Sequence, residues 1–262
     1  MGKKKRVIYY SDELNDDFAS SGKKIGRKQI GKDYPYAHKN VFWRIGSFIL
    51  YRLIATPLVF LFVKIAFGMR FRNLKNVRNL KNGYILYGNH TNGSTDAFIP
   101  SLIAFPRRSS LVSSQLAFSI PVVDKIIPLL GAIPLNDTFR GSVRMIEEMK
   151  ARLKRGQAVG IYPEAHIWPF YNGVRPFTDI SFGYAFMADV PAVGFAITYR
   201  QRKIFRNLPP LMTVTVGEPV YPEECADKTE MRNKIYDFIS ETITEEKSFA
   251  YREYVKRSDI EE

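Results

Sequence analysis

The chain has 262 residues, 45% of them apolar, which suits one large domain, or a domain with an appendage, and excludes an intrinsically disordered protein. Its 39 basic residues against 26 acidic ones leave a formal charge of +13 and a pI near 9.7, so an anionic partner is expected: nucleic acid, an acidic membrane surface or a phosphate-bearing substrate. With Cys225 as the only cysteine, an intramolecular disulfide and a cysteine-based metal cluster are excluded and a reducing, cytosolic side fits best. His38, His90 and His166 are too few and too scattered for a metal site.

Residues 1–40 are polar and charged. The initial positive run has no apolar core after it, so it is not a secretory signal, and Arg6 stands where myristoylation wants Ser or Thr. A nuclear-localisation reading of Lys3 to Arg6 rests on four residues, and the segment reads as a basic arm facing solvent or membrane. Residues 41–72 change character: Arg44, Arg52, Lys64, Arg70 and Arg72 punctuate a run of Ile, Leu, Phe and Val. The charge-free piece 53–63 spans only about 16 Å as a helix, about half a bilayer core. A full crossing carries Arg52 or Lys64 into lipid at a cost of a few kcal/mol unless they snorkel. The segment is therefore predicted as an interfacial helix, or a helical pair bent near Pro57, with a packed core helix and a single spanning helix as alternatives.

From residue 73 onward short strands alternate with helices, which predicts an α/β domain reaching residue 262. Strands are expected at 84–87, 109–114, 131–135, 158–162, 190–199 and 212–216. An amphipathic helix is expected at 142–155, with Val143, Met145, Ile146 and Met149 on one side and Gly156 ending it. Residues 200–210 form a basic loop, and residues 226–254 read as one or two charged helices. The whole is a central mixed, largely parallel sheet flanked by helices, preceded by the apolar membrane-interface segment.

Gly88 and Asn89 break the strand 84–87 and leave His90 just past its end, where α/β sheets open their ligand crevices. Asp96 falls in a predicted first helical turn, and Gly93 lets the backbone fold back so that carboxylate and imidazole meet. A carboxylate on one ring nitrogen fixes the tautomer and leaves the other free to take a proton. The bland alternative is an Asp that complements a helix dipole beside an unrelated loop histidine. Glu164, after the strand 158–162, belongs on the same rim. The aromatic residues Trp168, Phe170, Tyr171 and Phe177 read as core or membrane-interface packing. No serine sits in a Gly-x-Ser-x-Gly elbow, which argues against a serine hydrolase and the covalent acyl-enzyme it would form.

Four blocks in this order resemble the glycerolipid acyltransferase family, which includes 1-acylglycerol-3-phosphate acyltransferase. They are Asn89-His90 with Asp96, residues 131–137, Tyr162-Pro-Glu-Ala-His166 and Val190-Pro-Ala-Val-Gly194, and the resemblance covers about residues 74–222. The family has four residues between His and Asp where this chain has five, and its third block is Phe-Pro-Glu-Gly-Thr. Its second block ends in an Arg thought to hold the acceptor phosphate; Asp137 stands there, with Arg140 nearby.

The resemblance implies transfer of a fatty acyl group to the hydroxyl of 1-acylglycerol-3-phosphate, giving phosphatidic acid. The donor is acyl-CoA or acyl carrier protein as co-substrate, and neither metal nor other cofactor is required. His90 is expected as base and Asp96 as its orienter. Asn89, Arg140, Pro163, Glu164 and Arg175 are expected to bind substrate, Arg140 and Arg175 as candidates for phosphate. The expected partners are a lysophospholipid and an anionic membrane on its cytoplasmic face, met as a peripheral or monotopic protein, and no nucleic acid. Acylation of a different lysolipid or alcohol, and a non-catalytic basic protein bound to anionic lipid or nucleic acid, remain the rival readings.

Overall fold

The computed structural model describes residues 6–18, 29–38 and 40–260; Lys3 to Lys5 of the basic run lie outside them. In chain order the elements are β1 (Arg6–Tyr10), the long helix α1 (Val41–Phe67), β2 (Arg70–Arg72), β3 (Tyr84–Gly88), α2 (Ile99–Ala104), β4 (Ser109–Ser113) and β5 (Ile133–Pro134). There follow α3 (Phe139–Lys154), β6 (Ala158–Ile161), α4 (Gly183–Ala188), β7 (Ala192–Arg200), β8 (Leu211–Val220), α5 (Lys228–Glu245) and β9 (Arg252–Lys256).

Seven strands form one sheet in the order β2-β8-β7-β3-β6-β4-β5. The five strands from β7 to β5 run parallel, while β8 is antiparallel to β7 and β2 follows the direction of β8. This is the mixed, largely parallel sheet that the sequence predicts. β3 lies at its centre with every residue buried, as a continuous apolar strand covered on both faces must be.

The period of two along β3 sorts the core into two layers. Ile85 and Tyr87 face Met145, Met149 and Leu153 of α3 and Met231, Ile235 and Ile239 of α5. Tyr84 and Leu86 face Ile99 and Ile103 of α2 and Val63 and Phe67 at the end of α1. α3 starts where the Thr138 hydroxyl accepts the Gly141 N–H, its methionines recur at helical spacing, and Gly156 follows its end in the left-handed region.

α1 is a single continuous helix of 27 residues, not a bent pair, and is long and apolar enough by length and composition to cross a bilayer. Its stretch Ile49–Ala55 is π-helical, just ahead of Pro57. Proline has no N–H to give and its ring crowds the carbonyl four residues back, so the wider turn before it relieves both problems. Thr56 bonds the Tyr51 carbonyl through both its N–H and its hydroxyl, the latter at 2.7 Å. The helix lies along the domain: Ser47 donates to the Leu129 carbonyl, Tyr51 accepts from the Ser109 N–H, and Val63 and Phe67 enter the core. Arg52 folds back to the Pro106 carbonyl and over the Phe105 ring, so this charge is turned to the protein. The outer face, including Phe42, Leu53, Leu58, Leu61 and Ile65, is exposed.

Besides the helical pair, three expectations are corrected. The described parts of the first 40 residues are docked on the domain instead of standing free. β1 pairs in parallel with β9, and Tyr10 and Phe18 pack on Trp168. Tyr36 is buried and donates to the Pro134 carbonyl. Interleaved aromatic residues give this charged segment the apolar surface that holds it. The others are strands: Arg70–Arg72 form β2 beside β8, where the sequence reading keeps them in the apolar helical segment, and residues 252–256 form β9, where it reads residues 226–254 as helix.

Candidate active site

β3 and β6 are neighbours with Tyr87 opposite Ile161, so His90 and Glu164 each lie three residues beyond the same rung, at the carboxyl ends of parallel strands. Gly88 ends β3 because the Phe195 ring of β7 lies against it; a Cβ there meets the ring at 2.2 Å. The turn that follows is built by Asn92. Its side chain accepts the Ser94 N–H, and its carbonyl accepts the N–H groups of Thr95 and Asp96 at 3.1 and 2.9 Å. This Asx turn absorbs the fifth intervening residue, and Gly93 is not among the residues with positive φ, so the backbone folds back through asparagine chemistry and not through the freedom expected of Gly93. Asp96 lies in the turn before α2 and not inside the helix.

That turn brings His90 Nδ1 to 2.8 Å from Asp96 Oδ2. The same oxygen accepts the Asn92 N–H at 2.8 Å, while Oδ1 is buried with no partner among the described residues. Asp96 is only 1% exposed, and burial pushes its carboxyl above the ordinary value although the His90 hydrogen bond and charge pull it back. The His90 side chain retains 17% exposure, and no described side chain bonds its Nε2. Tyr162 stacks on the imidazole at a centroid distance of 4.3 Å and donates its hydroxyl to the Asp96 carbonyl at 2.7 Å. Sequence reasoning gave Tyr162 no role at the site, because its contact depends on β6 lying beside β3.

Glu164 is buried and is held by Arg175 through Nε at 3.1 Å and through the Arg175 N–H at 3.3 Å. Burial raises its pKa, opposed by Arg175 and by the His90 backbone N–H that bonds it. Arg175 is therefore corrected as a phosphate candidate. It is 1% exposed, and its donors go to Glu164 and to the carbonyls of Glu164, His166 and Glu13, with the guanidinium over Trp168. Asn89 is likewise spent on the fold. Its amide exchanges two hydrogen bonds with Ile197 of β7, at 2.7 and 3.1 Å, as one more rung of the sheet.

The structure does not bring Arg140 to His90. It opens α3 beyond the edge strand β5, three strands across from β3, which is about 14 Å. There it is exposed and pairs with Asp33 at 3.5 Å. Pro163 is half-buried between Tyr162 and Glu164, and His166 stands 3.7 Å from Asp17. Among the described residues no three His, Cys, Asp or Glu side chains gather as metal ligands do.

Beside the dyad turn lies an apolar cavity of about 470 Å³ between α1 and the sheet. It starts at Gly93 and Ala97, next to Asp96, and extends to Tyr51, Ala117 and Leu130. The geometry thus combines an imidazole with a free nitrogen, a buried carboxyl group behind it and an apolar recess alongside.

A family model described as Acyltransferase matches residues 68–198, half of the chain. Among solved structures, the chain is similar to the crystal structure of the 1-acyl-sn-glycerophosphate (LPA) acyltransferase PlsC from Thermotoga maritima. The likeness has 20% identity and a TM-score of 0.57, covers 79% of this chain and 88% of that one, and concerns the fold. No match was found among curated proteins. The sheet, the dyad at its carboxyl edge and the family model over half its length agree: this chain belongs to the acyltransferase family.

Proposed function

We propose that the protein moves a fatty acyl group from acyl-CoA or acyl carrier protein to the free hydroxyl of 1-acylglycerol-3-phosphate, forming phosphatidic acid. The observation that carries this reading is the 2.8 Å contact of His90 Nδ1 with buried Asp96, which leaves Nε2 uncommitted. Nε2 takes the hydroxyl proton as the oxygen attacks the thioester carbonyl, and the tetrahedral intermediate then collapses. The carbon–sulfur bond breaks, and the thiolate leaves with the proton returned by His90. Asp96 holds the ring and stabilises the transient imidazolium with a carboxylate that burial has left poorly compensated. The apolar cavity takes the fatty chain.

The similarity to a structure titled as a 1-acyl-sn-glycerophosphate acyltransferase supports this acceptor. The outward apolar face of α1, with Phe42 and Ile65 exposed at 81% and 71%, supports attachment in the plane of a membrane, and the net charge of +13 supports an anionic, cytoplasmic face. Acylation of a different lysolipid is the second reading. It is favoured by Arg175 being spent on Glu164 and by Arg140 standing at the far edge. Purified protein given acyl-CoA with lysophosphatidic acid, and separately with lysophospholipids bearing larger headgroups, decides by mass spectrometry. Phosphatidic acid as the main product is expected; product formed only from another lysolipid transfers the assignment to it.

A further inference from the structure

At the end of the strands opposite His90 lies a cleft of about 860 Å³. Arg108 and Gln157, which immediately precede β4 and β6, line it, so it is separated from the dyad by the length of those strands, about 15 Å. Among the described residues its lining carries Arg44, Arg108, Arg152 and Arg155 against Glu148 as the sole acid. Two of the arginines build the wall. Arg152 bonds Glu148, Ser110 and the carbonyls of Gly131 and Tyr36, and Arg108 bonds Ser47 and the Leu129 carbonyl while leaning on Tyr51. The other two hold charge in reserve. Arg155 is 58% exposed and only 3.9 Å from Glu148, and the Arg44 side chain bonds no described residue.

The cleft shares a wall with the first two turns of α1, which supply Val41, Arg44, Ile45 and Phe48. On those turns Phe42, Ile45 and Phe48 are exposed, so an apolar surface that enters a bilayer adjoins a basic recess that stays at headgroup depth. Arginine forks suit phosphate oxygens. The Trp43 ring is already covered by His38 at 3.8 Å, and this stacked face is closed to a nucleobase. Burial and the Arg152 charge push the His38 pKa down, so the ring stays neutral at pH 7.

We infer that this cleft binds the phosphate of an anionic bilayer lipid, at a site separate from the catalytic crevice; the inference rests on the membrane reading given above. Its test uses the full chain, vesicles of phosphatidylcholine alone or doped with phosphatidic acid, and the variants Arg44→Gln, Arg155→Gln and their combination. Binding to the doped vesicles should weaken about fivefold for each arginine, from about 1 kcal/mol per surface cation. Binding to neutral vesicles and turnover of short-chain, water-soluble substrates should not change. Natural protein that binds neither vesicle overturns the membrane reading and the site together. Natural protein that prefers doped vesicles, with variants that match it, overturns the site alone. Equal losses on both vesicle types reassign the arginines to general adhesion and overturn it as well. Displacement from doped vesicles by millimolar inorganic phosphate gives the cleft to free phosphate and overturns the lipid assignment.

Discussion

Asp96 combines two demands that oppose each other. Its ionised form serves His90, yet burial raises its pKa, so the folded protein binds that proton more tightly than the unfolded chain does. Stability therefore falls as pH rises from the unfolded value to the raised folded one, and the penalty is complete above that window. Asp96→Asn removes the penalty and should melt higher than the natural protein at neutral pH, with the advantage shrinking on acidification, while turnover falls roughly 10²–10⁴-fold. His90→Ala should abolish nearly all turnover, and the double variant should lose little more, because the two residues act as one unit. Single-turnover rates beside melting curves check both statements; losses that multiply, or an unaltered melting point, contradict them. Ala165 offers a second residue-scale test. It occupies the family's glycine position at φ 62°, where an L side chain is strained. Ala165→Gly should stabilise by about 1 kcal/mol, read from chemical denaturation. At this scale the pairing of His90 with Asp96 was legible from their spacing and types. The clamp of Asn89 on Ile197 and the stacking of Tyr162 were not, since both depend on strands far apart in sequence lying side by side.

The loop after β6 shows what an element can hide from sequence. Glu164 was legible as a rim residue from its place after a strand, but its partner eleven residues later was read as a ligand-binding arginine. A guanidinium carries no outward mark of whether a carboxylate or a phosphate will use it; burial decides, and burial is tertiary. Arg175→Met should accordingly destabilise the fold by about 3–5 kcal/mol by leaving Glu164 uncompensated. A well-folded variant with only a raised acceptor KM would return Arg175 to the substrate. The cavity between α1 and the sheet gives another test at this scale. Ala117→Phe fills part of it and should shift acyl preference toward shorter chains, measured by competition between acyl-CoA lengths. Unchanged preference would place the chain elsewhere. Six of the seven strands of the sheet were legible from apolar runs and the turns between them, with ends displaced by a few residues; β2 was hidden in the apolar segment that the sequence reading carried to residue 72. β9 was not legible either, because it pairs with β1, and a two-stranded partnership across most of the chain leaves no local pattern.

For the molecule as a whole, α1 is a wall of the core and, on the proposed membrane reading, its anchor. Val63 and Phe67 complete the core, so cutting the chain before residue 73 would expose the sheet as well as remove the apolar face. Surface substitution is the cleaner experiment. Leu58, Leu61 and Ile65 are 61%, 55% and 71% exposed, and replacing all three with Ser should leave the melting point near its natural value. Vesicle affinity should fall sharply, since each side chain withdrawn from lipid forfeits about 1.5–3 kcal/mol. A variant that still sediments with vesicles would mean that α1 lies against protein.

The pairing of β1 with β9 also sets an order of events during synthesis. Arg6 cannot meet Arg252 until some 240 further residues have been made, at about 5–20 residues per second. The first strand therefore lacks its partner for roughly 10–50 s, and for about three quarters of that time the apolar helix is already made. The Glu13 carbonyl that bonds Arg175 belongs to the segment that β1 ties down, so the loop bearing Glu164 is completed last. On the membrane reading proposed above, attachment precedes enzymatic competence, and a ribosome stalled before residue 252 is expected to deliver a bound but unfinished enzyme.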